Sequence, residues 1–152
     1  MNTMKSGAGV TTVALVVLSL CGFAQQGQTQ EKKADHMEHN EMMQACAKAC
    51  SDCQRACDMC STHCSHMLGE GKKEHSVTLA TCQDCSTVCS GASQIVARGG
   101  PFSGIICAAC VDACAKCATQ CEKFPDDKHM KMCAEECRKC EKACRDMLKH
   151  AK

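Results

Sequence analysis

The apolar positions of the chain repeat with the period of a helix, and many of them are cysteines. In residues 46–64, CAKACSDCQRACDMCSTHC, six cysteines stand 4, 3, 4, 3 and 4 residues apart. Residues at these spacings share one face of an α-helix, the face on which a bundle helix normally carries leucine. The positions between them are mostly polar. The pattern therefore predicts a helix whose buried face is lined with sulfur.

The same spacing recurs in three later segments, and residues that break helices separate them. We predict helices over about 36–68, 77–98, 104–123 and 127–150, with Asp126 as the N-cap of the last. Short connections between long helices make sequence neighbours antiparallel. The predicted fold is all-α, an antiparallel up-down-up-down four-helix bundle with a cysteine-lined core.

Composition supports a sulfur core and argues against nucleic acid as a partner. The 152 residues include 19 Cys and 10 Met, with no Trp or Tyr. The net charge is +1 and no basic block stands out, so no electrostatic footprint for a polyanion is present.

The N-terminus is typical of an export signal. Residues 10–20 form an apolar stretch too short to span a bilayer comfortably, and small residues precede a cleavage site after Ala24. We predict a signal peptide at 1–24, a flexible lead-in at 25–35 and a metal-binding domain at 36–152. The expected location is the periplasm. The alternative is lipidation at Cys21, which would make the protein a membrane-anchored lipoprotein; otherwise no membrane contact is expected after cleavage.

Four interpretations of the sulfur face remain open at this point. Buried cysteine as a plain small hydrophobe does not account for so many on one stripe. Disulfides are common in exported chains, but residues i and i+4 on a helix stand too far apart for one. Iron–sulfur clusters and zinc sites usually sit on loops rather than along helices. Soft thiolates also select Cu(I), which two thiolates at i and i+4 can bracket.

The candidate metal ligands are the cysteines of the four stripes. Eight C-x3-C pairs account for all but two of them, and the two left over, Cys82 and Cys107, are placed to bridge helices. The full set is Cys46, Cys50, Cys53, Cys57, Cys60, Cys64, Cys82, Cys85, Cys89, Cys107, Cys110, Cys114, Cys117, Cys121, Cys133, Cys137, Cys140 and Cys144.

These C-x3-C ladders, present on all four predicted helices, resemble those of the bacterial copper storage proteins. The resemblance covers about Met42 to Met147. It implies many Cu(I) ions per chain, held for storage, buffering or detoxification, often in a homotetramer. Exported members compared with this chain carry a twin-arginine signal, which is absent here. The resemblance implies no enzyme activity; the alternatives are a zinc- or cadmium-sequestering protein and a thiol redox protein.

Histidine and methionine extend the first stripe upstream of its cysteines. His36, His39 and Met43 continue the steps of four and three, and Met42 lies beside them. Neutral thioether and imidazole ligands hold copper less tightly than paired thiolates. We therefore predict that His36, His39, Met42 and Met43 form the mouth that admits Cu(I), a role that the family resemblance also favours.

Four more histidines are expected at the opposite end of the bundle. They are His63, His66, His75 and His129. Because His63 and His66 lie off the cysteine stripe, we interpret both as surface residues.

Overall fold

Four α-helices make up the architecture. The structure, a computed structural model, describes residues 21–150 and gives side chains from Met37 onward. The chain divides into two units at His36, and the bundle is the unit that begins at Met37. The helices are α1 (Cys21–Gly69), α2 (Ser76–Ala97), α3 (Ser103–Cys121) and α4 (Lys128–His150), with one 3-10 turn at Lys73–His75. No strand occurs in the described residues.

The start of α1 differs from the prediction. The described part of α1 runs from Cys21, so residues 25–35 are helical where a flexible lead-in was expected. This stretch is rich in Gln, Glu, Lys and Ala, which favour helix, and it contains no proline. Most of the predicted signal peptide lies outside the described residues, and its cleavage site stays a prediction.

Sulfur contacts between helices establish the predicted up-down-up-down topology. Residue numbers rise together along α1 and α3, which are parallel, and run in opposite directions along α1 and α4 and along α2 and α3. The Sγ–Sγ contacts that show this are Cys46–Cys107 and Cys57–Cys117 at 3.9 Å, Cys50–Cys140 at 3.6 Å, Cys57–Cys133 at 3.8 Å, and Cys82–Cys117 and Cys89–Cys110 at 3.6 Å.

Helix α3 owes its apolar character to the core. Among the described residues it is the one helix that is long and apolar enough to cross a membrane, with a mean hydropathy of 1.3. Its five cysteines are all buried inside the bundle, as are Val111 and Ala118. The hydropathy of α3 is therefore that of a core helix.

The exterior is polar and carries ion pairs along the helices. Lys142 lies 2.7 Å from Asp146, and Lys48 lies 2.6 Å from Asp52, both one turn apart. Arg138 of α4 contacts Glu122, beyond the end of α3, at 2.9 Å. Exposed pairs of this kind contribute about 0–1 kcal/mol each, so burial of the sulfur face dominates the stability of the bundle.

Candidate metal centre

The interior of the bundle consists mainly of thiols. Each of the eighteen cysteines from Cys46 to Cys144 is at most 1% exposed, and all are free. Steps of three and four residues keep them on one face of each helix, as the sequence predicts. In the metal-free protein they pack as small hydrophobic side chains.

Contacts between helices are as close as contacts within a helix. The Sγ atoms of Cys53 and Cys57, four residues apart, are separated by 4.0 Å. The Sγ of Cys53 lies 3.6 Å from that of Cys137 and 3.8 Å from that of Cys114, on two other helices. The eight C-x3-C pairs of the sequence are therefore parts of one network, and a bound ion has ligands available on several helices.

Cys82 and Cys107, the two cysteines outside the pairs, join the same network. The Sγ of Cys82 lies 3.6 Å from that of Cys117 and 3.9 Å from that of Cys121. The Sγ of Cys107 lies 3.9 Å from that of Cys46. Both residues stand between helices, as expected from their place in the sequence.

The thiols also fall into groups of four that overlap. Within each group all the sulfur atoms lie within 4.8 Å of one another. Five of the seven groups are Cys50/Cys110/Cys140/Cys144, Cys53/Cys85/Cys89/Cys114, Cys53/Cys57/Cys85/Cys137, Cys57/Cys117/Cys133/Cys137 and Cys60/Cys82/Cys121/Cys133. Because several cysteines belong to two groups, the groups cannot all be filled by separate four-coordinate ions. Filling this core requires thiolates that bridge two ions.

Burial opposes the loss of a proton from these thiols in the absence of metal. Desolvation raises the pKa of the Cys64 thiol to about 11. In the packed interior, hydrogen bonding with Cys114 lowers the pKa of Cys85, whereas hydrogen bonding with Cys117 raises the pKa of Cys82. Neighbouring thiols thus stabilise one thiolate by hydrogen bonding and disfavour a second thiolate beside it. Their titrations are therefore coupled.

Methionines close one end of the core. We call Met42, Met43, Met147 and Cys46 the methionine end. Met147 is 1% exposed, and the half-buried Met43 packs against the core. Met42 and Cys46 line a groove of about 330 Å³ between α1 and α4. Of the predicted mouth, the structure therefore places Met42 and Met43 beside the core.

Of the two histidines of the predicted mouth, the structure describes the side chain of His39 alone. His39 is exposed. The side chain of His36 lies outside the described residues.

Gly99, in the loop after α2, has a φ of 60°, and a Cβ there would lie 3.0 Å from Cε of Met43. The loop therefore packs against a methionine of this end.

Imidazoles and a carboxylate occupy the opposite end. We call His63, His75, His129 and Asp127 the histidine end. The rings of His63 and His129 stack with centroids 4.4 Å apart, and the ring of His75 stands edge-on to His63 at 6.3 Å. Nε2 of His63 donates to Oδ2 of Asp127 at 2.6 Å. Beneath this end, the Sγ of Cys60 lies 3.4 Å from the Sδ of the fully buried Met130.

The interpretation of His63 as a surface residue is wrong. Its side chain is only 17% exposed, because Asp127 and the neighbouring rings cover it. His66 is exposed, as expected. His75 is 4% exposed and stacks on Phe124 at a centroid distance of 4.3 Å. Its position seven residues before Cys82, on the buried face of α2, is the sequence signal that could have indicated this burial.

Asp127, and not Asp126, provides the side-chain cap of α4. Its Oδ1 accepts hydrogen bonds from the backbone N–H of His129 at 2.9 Å and of Met130 at 3.2 Å. Burial alone would raise the pKa of Asp127, but these bonds and the one from His63 hold it below its usual value. One aspartate thus caps a helix and orients a histidine.

A helical bundle with a continuous interior of free thiols defines a class of protein that holds soft metal ions in bulk. A sequence model of the copper storage protein family matches residues 21–149. The chain belongs to the copper storage protein family.

Individual relatives agree with this assignment. An uncharacterised cysteine-rich protein of Bacillus subtilis is 37% identical over 105 residues, which are 68% of this chain and 94% of that protein. A Cu(I)-bound copper storage protein, BsCsp3, is 34% identical with a TM-score of 0.64, covering 70% of this chain and 98% of that one. A cytosolic copper storage protein of Streptomyces lividans, solved with five coppers, is 28% identical with a TM-score of 0.67, covering 73% and 95%.

Proposed function

We propose that this protein stores Cu(I) in bulk, with the eighteen buried cysteines as ligands. The observation that carries the proposal is the network of free thiols, in which Sγ atoms on neighbouring helices lie 3.6–4.0 Å apart. Membership of the copper storage family and the Cu(I)-bound relative support it. The protein acts by capacity and not by catalysis, since no single thiol is distinguished from the others by exposure.

Charge balance favours a high copper content. A buried thiol that exchanges its proton for Cu(I) leaves the net charge of the core unchanged. If two thiolates held each ion, half of their negative charge would stay uncompensated in a low-dielectric interior, which is costly. The neutral limit is one Cu(I) per thiolate, and it requires the bridging thiolates that the overlapping groups provide.

Zinc or cadmium is the second candidate cargo, because groups of four close sulfur atoms also suit a tetrahedral ion. The sharing of Cys57 between two groups argues against it. Cys57 belongs both to a group with Cys53 and Cys85 and to a group with Cys117 and Cys133. Two tetrahedral ions at these places would have to compete for the same ligand or bridge through it.

Copper enters at the methionine end in this proposal. Thioether sulfur is a soft, neutral ligand that accepts Cu(I) without losing a proton. Met42 shares a groove with Cys46, the first thiol of the core, so an ion bound by the thioether has a thiol beside it. His36 and His39 stand further out on α1 and would make first contact.

Export and self-association remain parts of the proposal. The signal-like residues 1–24 support export to the periplasm, with the lipidated Cys21 form as the alternative. Phe102 and Ile105, 63% and 72% exposed at the start of α3, offer apolar surface for a homo-oligomer. Fractionation of cells and light scattering of the purified protein test the two statements separately.

Anaerobic titration of the fully reduced protein with Cu(I), against a strong Cu(I) chelator, tests the storage proposal. We expect many equivalents to bind, approaching one per cysteine, with the helical signal unchanged. Cys57→Ala, at a shared position, should lower the capacity more than Cys64→Ala, near the end. Saturation at one or two equivalents would reject storage, and displacement of the copper by stoichiometric Zn²⁺ would favour zinc instead.

A further inference from the structure

The histidine end has the donors of a metal site that differs in chemistry from the core. The ring of His63 is held by Asp127 through Nε2 at 2.6 Å. Metal-binding histidines commonly donate one ring nitrogen to a carboxylate in this way, which leaves the other nitrogen to the metal. His129 stacks on His63 from the start of α4. The arrangement orients imidazoles at the surface that covers the last thiols.

A buried donor at this end lacks a protein partner. Nδ1 of His75 is buried and makes no hydrogen bond, although the residue is only 4% exposed. Leaving a buried polar nitrogen unsatisfied costs about 1–3 kcal/mol, so such atoms in native proteins call for an explanation. The histidine end therefore has a buried ring nitrogen that is available as a ligand.

The donors change in character from the surface inward. Imidazole nitrogen and carboxylate oxygen lie outermost at His63, His129 and Asp127. The thioether of Met130 follows, in contact with the thiol of Cys60. Cys60 then belongs to a group with Cys82, Cys121 and Cys133. Nitrogen and oxygen donors suit Cu(II), whereas thioether and thiolate suit Cu(I).

We propose that the histidine end binds Cu(II) and that the thiols beneath it reduce the ion to Cu(I), which the core then stores. The inference rests on the proposed storage function. Reduction at the histidine end would let the protein take up oxidised copper, which the thiol core alone does not bind from solution. All core thiols are at most 1% exposed, so a Cu(II) ion in solution meets them only after binding at an end.

The reduction balances with two cysteine thiols as the reductant and Cu(II) as the oxidant. Two cysteine thiols are oxidised to one disulfide, releasing two protons and two electrons. Two Cu(II) ions take one electron each and become two Cu(I) ions, and the remaining thiols bind them. The disulfide forms within the group that contains Cys60, where Cys82 and Cys121 have Sγ atoms 3.9 Å apart. The step consumes thiols, so it is stoichiometric and not catalytic.

The test mixes reduced, metal-free protein with Cu(II) without oxygen and follows the loss of the Cu(II) electron paramagnetic resonance signal. We expect the signal to disappear, with one disulfide found per two Cu(II) ions when thiols are counted after unfolding. His129→Gln, at an exposed position, and His63→Gln should slow the loss at least about tenfold. His66→Gln, exposed near the same end of α1, is the matched control and should match the unsubstituted protein.

Titration with Cu(I) runs in parallel and separates the two proposals. We expect both histidine variants to keep the full Cu(I) capacity, which also shows that they fold. If Cu(I) binds in bulk but the Cu(II) signal persists with all thiols intact, the reduction proposal is overturned and storage stands. Reduction at the same rate in the histidine variants would also overturn it, since the thiols would then be reached by another route. Failure to bind Cu(I) would instead overturn storage.

Discussion

The two ends of the bundle close the same thiol core with different chemistry. At one end, Met43 and Met147 pack against the first cysteines, and the donors are neutral thioethers. At the other end, His63 and Asp127 form an imidazole–carboxylate pair above Cys60 and Met130. A repetitive core therefore does not make the two ends equivalent. Metal selection at each entrance depends on the few residues that do not repeat.

The largest effect that tests this contrast is the pH dependence of Cu(I) binding. Burial raises the pKa of Cys64 to about 11, so a core thiol must release a proton to bind metal. Below that pKa, falling pH adds proton competition and weakens binding. At one Cu(I) per thiolate each ion displaces one proton, so we expect an affinity loss of about tenfold per pH unit. Chelator competition at several pH values measures it, and a pH-independent affinity would mean that neutral methionine or histidine ligands hold the copper.

The next effect concerns the methionine end alone. The combined substitution His39→Asn, Met42→Leu and Met43→Leu removes three of the four ligands predicted for the mouth while keeping apolar volume at the two methionines. We expect Cu(I) uptake to slow about tenfold, or about 1.4 kcal/mol in the barrier, with the capacity unchanged. Stopped-flow mixing with a Cu(I) complex measures the rate. The matched control, His129→Gln at the other end, should load Cu(I) at the normal rate; equal slowing in both would remove the contrast.

A smaller effect tests the double role of Asp127. Asp127→Ala removes the cap of α4 and the partner of His63, and loss of a cap costs about 1 kcal/mol of unfolding free energy. Asp126→Ala is the matched control, because Asp126 is exposed, and we expect it to change stability by less than about 0.5 kcal/mol. Denaturant unfolding of the reduced protein gives both values. Equal stability of the two variants would show that the cap contributes nothing.

The smallest effect compares the loops at the two ends. Gly71 and Gly99 both have positive φ, 88° and 60°, so alanine at either is strained by about 1 kcal/mol. A Cβ at Gly71 meets nothing, whereas one at Gly99 lies 3.0 Å from Met43. We therefore expect Gly99→Ala to be the more destabilising by a few tenths of a kcal/mol. Adding Met43→Ala should abolish that excess, and additive effects in the double variant would contradict the contact.

The sequence predicts the core well because one physical rule governs it. Steps of three and four place side chains on one face of a helix, so the burial of Cys46 and Cys144 alike follows from counting residues. The same rule suggests pairs within helices and does not reveal that Cys53 lies closer to Cys137 than to Cys57. Contacts between helices depend on their relative rotation, which spacing along one helix does not contain.

The histidine end escapes prediction for a related reason. Its residues come from the end of α1, the turn before α2 and the start of α4, so the cysteine spacing along any one helix does not bring them together. His63 and His66 both lie off the cysteine stripe of α1, a position that suggests exposure. His66 is exposed, but His63 is not, because Asp127, just before α4, covers it. The choice between Asp126 and Asp127 as the cap depended on one residue of register, which sequence patterns rarely resolve.

The chain of sulfur contacts has a consequence for motion inside the protein. Every cysteine from Cys46 to Cys144, apart from Cys60 and Cys64, has another thiol within 4.0 Å, and these contacts join into one path along the bundle. An ion can therefore travel by replacing one sulfur at a time, without ever losing all its ligands. A metal ion that enters at one end can therefore move along the bundle axis toward the other end. The order in which ions leave then need not be the order in which they arrived.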